Sequence, residues 1–370
     1  MEKIKICEKC LMPSSRPRVL FNEDGICNSC IYLEKKNKID WNLREKEFVE
    51  ICNMNRSKNG NYDCIVPWSG GKDSSSIAHK LKFKYNMNPL LVTFSPLIPS
   101  NIGDLNRKSL INCGLDSYFF SPDGRVSRYL SRRFFEERGN PKVHWDAGIN
   151  ALPMHVAIEK NIKLIFYAEH GESEYGGNVI KEDSDRIRDL EEVLENQIGD
   201  VPENWIDDYV SLNDINMYKY PEVDRISEKK ITAYYFSYFF KWDVYENFNY
   251  CKKNFDFRTS KERISGTFQN YDSMDDHIDH LYYYMQFIKF GFGRCLRDAS
   301  RLVQNNHMSR EDALNYIKKY DGEFPNDHLD KVLNFLNLDL IKLNQIIELH
   351  RNKEIWTKKG NELFRTFSIK

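Results

Sequence analysis

The sequence lacks any apolar run that approaches the ~20 residues needed to span a membrane. Its first five residues, Met-Glu-Lys-Ile-Lys, also lack the long apolar region of a secretory signal peptide. Both absences predict a cytoplasmic protein with no membrane partner. A charge surplus is missing too, because 54 Lys and Arg face 55 Asp and Glu, a net charge of -1. Overall charge therefore gives no reason to expect nucleic acid as a partner, although a local basic patch stays open.

Two familiar nucleotide motifs are also missing, because neither the Walker spacing nor Gly-x-Gly-x-x-Gly occurs where a phosphate turn is expected. Instead, an apolar run over residues 64–68 leads into Ser69-Gly-Gly-Lys-Asp-Ser74, and a helical pattern follows. Gly70 and Gly71 permit a tight turn, and the free amides at the start of a helix attract anions. Strand, turn and helix in this order predict a site for a polyanion.

This turn resembles the PP-loop of the ATP pyrophosphatases, which hold the β,γ-pyrophosphate of ATP and keep the acidic loop residue, here Asp73, near metal and phosphates. The resemblance implies ATP and Mg2+ as ligands and a catalytic role for Lys72 and Asp73. The alternative is an ordinary glycine-rich turn between a strand and a helix. The predicted ATP-binding residues are Pro67, Ser69, Gly70, Gly71, Lys72, Asp73, Ser74, Ser75 and Thr93.

Four of the nine cysteines form two regularly spaced pairs. Cys7 and Cys10 are followed after 16 residues by Cys27 and Cys30. This spacing is typical of two knuckles that present four thiolates to one zinc ion, and such a closed site is structural. Four unliganded thiols are the alternative. The pairs predict a small zinc ribbon at the N-terminus.

Strand-like and helical patterns alternate after the cysteine pairs. Apolar runs of strand length lie at residues 64–68, 89–94, 116–120 and 162–168, with helical patterns between them. We therefore predict an α/β fold with a doubly wound parallel sheet, an N-terminal zinc ribbon and a helical C-terminal region. With 370 residues the chain should divide into several units: 1–40 the ribbon, 41–180 the nucleotide domain, 181–270 an insertion of unclear role, and 271–370 the helical region.

Three glutamates follow the fourth predicted strand, at the sheet edge where ligands of such folds bind. Glu169 and Glu172 are predicted to be catalytic and Glu174 to contact substrate, with Asp73 and Glu169 as Mg2+ ligands. Which of the glutamates matters stays open, and a solvated acidic loop is the alternative.

The helical pattern of the C-terminal region is interrupted at Gly291-Phe-Gly-Arg-Cys-Leu-Arg297. Arg294 and Arg297 are predicted to bind a phosphate or carboxylate of the substrate, and pairing with neighbouring acids is the alternative.

Taken together, the cysteine pairs and four segments resemble the N-acetyl sugar amidotransferases, the PseA- and WbpG-like enzymes of bacterial surface glycan synthesis, over nearly the whole chain. The segments are Val66-Pro-Trp-Ser-Gly-Gly-Lys-Asp-Ser-Ser75, Asn88-Pro-Leu-Leu-Val-Thr-Phe-Ser95, Phe166-Tyr-Ala-Glu-His-Gly-Glu-Ser-Glu-Tyr-Gly176 and Lys289-Phe-Gly-Phe-Gly-Arg294. The resemblance implies that an acetamido group on a nucleotide-activated sugar, or on a nonulosonic acid, becomes an acetamidino group. It places the reaction in O-antigen or flagellin glycan synthesis, which includes lipopolysaccharide and pseudaminic acid.

The implied chemistry is an ATP-dependent carbon–nitrogen ligation. The amide oxygen attacks the α-phosphate to give an adenylated imidate and pyrophosphate, and ammonia then displaces AMP. An N-terminal-nucleophile glutaminase needs a cysteine after Met1, where this sequence has Glu2, so we expect ammonia from outside. The resemblance implies a separate glutaminase, with a cyclase-like subunit as a possible conduit.

Two other functions stay open at this stage. A PP-loop tRNA sulfur transferase would need catalytic thiols and an RNA surface, but Cys113, Cys251 and Cys295 are isolated and the chain is not basic. A non-enzymatic zinc-ribbon scaffold would not need Asp73 and the serines of the loop.

Overall fold

The computed structural model describes residues 3–177, 185–360 and 362–370. Glu2 and the predicted domain boundary at 180/181 lie outside these residues. Five strands form one parallel sheet in the order β3-β2-β1-β4-β5. They are β1 (Cys64–Pro67), β2 (Pro89–Phe94), β3 (Asp116–Phe120), β4 (Leu164–Tyr167) and β5 (Thr232–Tyr235). The predicted doubly wound parallel sheet is confirmed.

The sheet changes direction between β1 and β4. From β1 the chain adds β2 and then β3 on one side, and it returns to add β4 and β5 on the other. In such sheets a crevice opens between the carboxyl ends of the two strands where the order reverses. The loop that follows β1 and the loop that follows β4 are therefore brought next to each other.

Helices cover both faces of the sheet and continue beyond it. Buried Ile77 and Leu81 of helix α3 (Lys72–Phe83) belong to the core on one face, while Leu152 and Val156 of helix α6 (Val143–Lys160) belong to the core on the other. Up to the fifth strand the helices are α1 (Asn28–Lys36), α2 (Trp41–Met54), α3 (Lys72–Phe83), α4 (Asn101–Asn112), α5 (Gly124–Arg138), α6 (Val143–Lys160), α7 (Gly171–Tyr175), α8 (Leu190–Val193) and α9 (Val223–Glu228). After it come α10 (Phe236–Phe239), α11 (Val244–Asn254), α12 (Asp279–Phe290), α13 (Arg294–Gln304), α14 (Arg310–Tyr320), α15 (Leu329–Leu336) and α16 (Leu340–Leu349). In the described residues no helix combines the length and the apolar character that a membrane span requires.

Part of the segment 181–270 completes the sheet. Thr232 to Tyr235 pair with β4 as the fifth strand, and the aromatic run continues into the short helix α10. Earlier in this segment, α8 (Leu190–Val193) runs directly into a π-helical turn, Leu194–Ile198. A 3-10 turn, Pro202–Trp205, comes next.

The C-terminal region is helical only up to residue 349, and the expectation of helix to the end is wrong. It closes with an antiparallel hairpin, β6 (Trp356–Lys359) and β7 (Glu362–Arg365). Trp356 is almost fully buried, and its indole Nε1 donates to the carbonyl of Ile288 on α12 at 2.8 Å. The hairpin thereby caps the helices that precede it.

The N-terminal residues 3–40, here called the cysteine module, pack against α13. Leu11 and the four paired cysteines share one buried cluster with Phe292, Leu296 and Ala299. Ser300 Oγ donates to the carbonyl of Cys10 at 2.6 Å. The first and the last parts of the fold are thus built against each other.

Candidate active site

Three side chains stabilise the turn after β1 by hydrogen bonds on its buried side. Thr93 Oγ1 donates to the carbonyl of Trp68 at 2.6 Å, and Trp68 Nε1 donates to Ser75 Oγ at 2.7 Å. Arg107 Nη1 donates to the carbonyl of Ser69 at 2.8 Å. These bonds use groups on the buried side of the turn, so the amides at the start of α3 stay directed at the crevice.

Gly70 adopts φ +102°, a conformation that side chains other than glycine rarely take. A Cβ added there would lie 2.8 Å from Cγ of Arg107 and 3.3 Å from the carbonyl oxygen of Gly103. Both the backbone and the close approach of α4 therefore require glycine.

We expect Gly70→Ala to distort the turn and to cut ATP affinity by about tenfold or more, because backbone strain and overpacking each cost ~1–3 kcal/mol. Calorimetric titration with a non-hydrolysable ATP analogue measures the effect. Gly60→Ala is the control for a glycine with positive φ, since a Cβ there meets no atom within 4 Å. ATP-analogue affinity equal to that of the parental protein would contradict the role of the turn.

Lys72 is buried and bound by two carboxylates. Its Nζ lies 2.8 Å from Asp73 Oδ2 and 2.6 Å from Asp272 Oδ1. Burial lowers the pKa of Lys72, but the charges of Asp272 and Asp73 outweigh it and raise the pKa overall. Asp73 Oδ1 accepts a further bond from Asn247 Nδ2 at 3.0 Å. The two predicted catalytic residues of the turn are therefore fixed as one charged pair.

Asp272 connects the turn to Arg294 and Arg297, the two arginines that are predicted to bind substrate. Its Oδ2 lies 3.0 Å from Nη2 of Arg297, and its carbonyl accepts from Nη2 of Arg294. Both guanidinium groups lie over the ring of Tyr283, at 5.1 Å for Arg294 and 4.1 Å for Arg297. The arginines thus pair with groups of the chain itself, the alternative weighed above, and their role toward a substrate stays a prediction.

A cavity of about 320 Å³ opens on one side of the turn, and we call it the loop cavity. Five aspartates and two lysines line it, and both lysines are paired: Lys72 as above and Lys142 with Asp279. Burial raises the pKa of Asp146 to about 7. The lining is Ser69, Gly70, Gly71, Lys72, Asp73, Ser74, Gly103, Asn106, Lys142, Trp145, Asp146, Tyr271, Asp272, Ser273, Met274, Asp275, Asp279, Tyr282 and Tyr283.

A second cavity of about 340 Å³ lies over the carboxyl ends of β1, β2 and β4, and we call it the strand-end cavity. Arg188 lies over the ring of Tyr167 at 3.9 Å and donates to Tyr235 and Gln197. Within the described ranges no carboxylate forms an ion pair with this guanidinium. The lining is Pro67, Trp68, Ser69, Ser74, Val92, Phe94, Trp145, Ile149, Asn150, Pro153, Tyr167, Ala168, Glu169, Gly171, Arg188 and Gln197.

The residues after β4, numbers 169–177, are here called the β4 loop. Its Glu169 lines the strand-end cavity and accepts from the hydroxyl of Tyr175 at 3.1 Å. Burial, and after it the charge of Asp73, raises the pKa of Glu169 to about 7. Glu169 shares the lining of this cavity with Ser69 and Ser74, so it lies near the turn, as the sequence predicts.

The other two glutamates of the β4 loop make contacts in a different direction. Glu172 forms two bonds with Arg18, from Nε at 2.9 Å and from Nη2 at 2.8 Å. Glu174 pairs with buried Lys36 at 2.7 Å. Both partners belong to the cysteine module, so these ion pairs of Glu172 and Glu174 face that module. Their predicted catalytic and substrate-binding roles remain predictions that these contacts do not favour.

The four paired cysteines converge as their spacing predicts. Their sulfur atoms all lie within 4.8 Å of one another, and all four residues are buried. Cys7 and Cys30 are 3.9 Å apart at sulfur, and Cys10 and Cys27 are 3.6 Å apart. In the part of the chain that the structure describes, this is the one group of three or more His, Cys, Asp or Glu side chains whose ligand atoms lie close enough to share a metal ion. Four buried thiols at this separation fit a tetrahedral metal ion.

Several residues of the site carry no local sequence signal. Asp272, Asn247 and Arg107 lie 200, 174 and 38 positions from their partners in the turn. Arg188 belongs to the segment that the sequence leaves without a role. Only the fold brings these side chains to the sheet edge.

Two known proteins are similar to part of this chain. The chain is 26% identical over 152 residues to the NH(3)-dependent NAD(+) synthetase of Fusobacterium nucleatum, covering 37% of this chain and 59% of that protein. It is 34% identical over 88 residues to the uncharacterized protein MJ1599 of Methanocaldococcus jannaschii, covering 23% of this chain and 31% of that protein. The chain thus spans less than two thirds of either relative. Together with the parallel sheet, the similarity to this synthetase confirms the predicted resemblance to the PP-loop ATP pyrophosphatases.

The second comparison concerns the C-terminal region. Residues 265–368 match the family described as "LPS biosynthesis protein WbpG-like, C-terminal domain". This range contains Asp272, Arg294 and Arg297, the residues that connect the C-terminal helices to Lys72. The resemblance to WbpG-like chains is thereby confirmed over the C-terminal region.

Proposed function

We propose that the protein is an ATP-dependent amidotransferase that converts the N-acetyl group of a nucleotide-activated sugar, or of a nonulosonic acid, into an acetamidino group. The observation that carries the proposal is the turn itself. It lies between two cavities at the point where the sheet order reverses, and its Lys72 is fixed by Asp73 and Asp272. The similarity to a synthetase of the PP-loop class and to WbpG-like chains supports the same activity.

ATP would lie across the turn. The apolar lining of the strand-end cavity, with Val92, Phe94 and Ile149, fits a nucleoside. The triphosphate would follow the amides at the start of α3, where a helix N-terminus favours negative charge. The acceptor sugar would approach the α-phosphate at the boundary of the two cavities, where Ser69, Ser74 and Trp145 line both.

The charges of the loop cavity support the use of Mg2+ with ATP. Its five aspartates outnumber its two lysines, so a bare triphosphate would be repelled. Asp73 and Glu169 would hold the ion, as hard oxygen ligands do. When bound, the ion would neutralise charge on the phosphate oxygens.

The reaction would proceed in two steps. The acetamido oxygen forms a bond to the α-phosphorus while the bond from that phosphorus to the bridging oxygen breaks, and pyrophosphate leaves. Amides of the turn and the ammonium group of Lys72 stabilise its charge. Ammonia then forms the new carbon–nitrogen bond, the carbon–oxygen bond breaks, AMP leaves, and one proton is released. Burial beneath the β4 loop and α12 would limit hydrolysis of the imidate by water.

The remaining thiols support free ammonia as the nitrogen donor. Outside the cysteine module, burial raises the pKa of Cys52, Cys64, Cys113, Cys251 and Cys295. A nucleophilic thiol needs a lowered pKa, so none of these suits a glutaminase or the rival tRNA sulfur transferase. A separate glutaminase would supply the ammonia, with a cyclase-like subunit as conduit. The cysteine module would hold a structural Zn2+.

The test is a reaction with an acetamido nucleotide sugar, ATP, Mg2+ and 15N-ammonium. We expect mass spectrometry to show one labelled nitrogen in place of one oxygen, with one AMP and one pyrophosphate per product. Glutamine in place of ammonium should give no product until a suitable glutaminase is added.

The controls separate the alternatives. A panel of nucleotide sugars and one nonulosonic acid identifies the acceptor. Efficient use of glutamine by the chain alone would contradict the external ammonia source. Unlabelled product, or no AMP with any acceptor of the panel, would overturn the amidotransferase proposal.

A further inference from the structure

The cysteine module binds the backbone of the β4 loop through side chains that take no part in metal ligation. Ser29 Oγ donates to the carbonyl of Glu174 at 2.7 Å. Arg16 Nη1 donates to the carbonyls of Tyr175 and Gly176, and Asn28 Nδ2 donates to that of Gly177 at 2.9 Å. Four consecutive carbonyl oxygens are therefore satisfied by one module.

These bonds replace what the short helix cannot supply. Helix α7 has only five residues, Gly171–Tyr175, and its last carbonyls have no partner within the helix. An isolated helix of this length is not stable in water. The β4 loop therefore owes its conformation to the contacts that surround it, and the module provides most of those at its C-terminal end.

The cysteine module and the β4 loop also pack closely against each other. Gly176 has φ +75°, and a Cβ added there would lie 2.6 Å from Oδ1 of Asn28 and 3.2 Å from the amide nitrogen of Ser29. The ion pairs of Arg18 with Glu172 and of Lys36 with Glu174 flank this contact. Lys36 and Glu174 are both buried, so breaking that pair would leave an unpaired charge in the interior.

Tyr175 connects the contact to the active site. Arg16 holds its carbonyl, and the guanidinium of Arg301 lies 3.7 Å from the centre of its ring. Its hydroxyl donates to Oε1 of Glu169 and accepts from Nε1 of Trp242 at 3.2 Å. A shift of the β4 loop would therefore move the hydroxyl that orients Glu169.

We propose that the cysteine module is a positioning element of the active site, in which Arg16, Asn28 and Ser29 hold the β4 loop so that Tyr175 keeps Glu169 directed at the turn. This inference deepens the proposed function and rests on it where turnover is concerned. Arg16 acts through Tyr175, and it lines neither the loop cavity nor the strand-end cavity. It is a positioning residue, and no local pattern in the sequence distinguishes it.

The test compares Arg16→Met with the parental protein. Methionine keeps most of the side-chain length and loses both bonds to the β4 loop. We expect amide hydrogen exchange of residues 169–177 to accelerate about tenfold or more, because local opening needs fewer broken contacts. The kcat for AMP release should fall about tenfold or more, while KM for ATP changes less than about twofold. One zinc per chain should remain bound.

Arg16→Lys is the rescue variant, because an ammonium group can still donate to both carbonyls, and it should restore most of the exchange protection. Lys9→Met is the matched control on the same module. Lys9 pairs with Glu34 at the surface, and among the described residues no hydrogen bond or ion pair joins it to the β4 loop. It should leave exchange, turnover and zinc unchanged.

Gly176→Ala tests the same contact from the other side and keeps the proposal testable if Arg16→Met does not fold. Unchanged exchange of residues 169–177 in both variants would overturn the proposal, as would faster exchange with parental kcat. If the parental protein releases no AMP with any acceptor, the proposed function fails. The exchange experiment still decides whether the module holds the loop.

Discussion

Asp73→Asn should reduce AMP release by about a hundredfold or more while the protein stays folded. Removal of one preorganised group that stabilises transition-state charge costs ~10²–10³ in rate. Asp73 also pairs with Lys72 at 2.8 Å and accepts from Asn247 at 3.0 Å. The neutral amide would leave Lys72 with Asp272 alone and would remove one proposed ligand of the Mg2+ ion. Turnover at saturating ATP and Mg2+, with thermal unfolding in parallel, measures both parts.

The control for Asp73→Asn is Asp256→Asn. Asp256 is exposed and pairs with Arg258 at 2.8 Å, away from both cavities. Ser69→Ala should give a smaller loss than Asp73→Asn, because Ser69 Oγ carries no charge and its bond from the amide of Gly71 is long, at 3.3 Å. Parental rates of AMP release in Asp73→Asn would refute the PP-loop assignment.

Cys10→Ser should release the metal and lower the free energy of unfolding by about 3 kcal/mol or more. Structural zinc contributes on the order of 10 kcal/mol of binding free energy, and that energy is available only in the folded state. Cys10 lies within the four-sulfur group, and its carbonyl accepts from Ser300 on α13. The loss should therefore extend to α13 and reduce turnover as well. Metal analysis and denaturant unfolding measure the two effects.

Cys113→Ser is the matched control for Cys10→Ser. Cys113 is only partly buried, lies at the end of α4, and donates to the carbonyl of Ser109 at 3.4 Å. A serine there can make the same bond, so metal content and stability should stay close to the parental values. Full zinc content and unchanged stability in Cys10→Ser would contradict the four-thiolate site.

The features that the sequence predicts well are those with short-range causes. A strand, a glycine pair and a helix are neighbours in the chain, so Gly70, Lys72 and Asp73 could be placed at a turn between β1 and α3 before the fold was known. The spacing of Cys7, Cys10, Cys27 and Cys30 likewise requires only two local knuckles. Strands β1, β2 and β4 follow from apolar runs that a parallel sheet buries on both faces, whereas β3 is a largely exposed edge strand.

Other features depend on contacts between distant residues. The pairing of Asp272 with Lys72 spans 200 positions, and nothing near Asp272 in sequence indicates it. Glu172 and Glu174 lie at the predicted sheet edge, yet both form ion pairs with the cysteine module. Arg18 binds Glu172 across 154 positions of sequence, and Lys36 binds Glu174 across 138 positions. The aromatic run at β5 and α10 has no clear period, because it begins as a strand with alternating burial and becomes a helix at Phe236.

The packing of the cysteine module on α13 has a consequence for synthesis of the chain. The carbonyl of Cys10 receives its bond from Ser300, 290 positions later. At a translation rate of about 5–20 residues per second, α13 is synthesised roughly 15–60 s after the cysteine module. During that interval Leu11 and the thiols lack the surface that buries them in the native protein. Early capture of zinc would protect the thiols from oxidation on the ribosome, so the metal supply of the cell should govern the yield of folded protein.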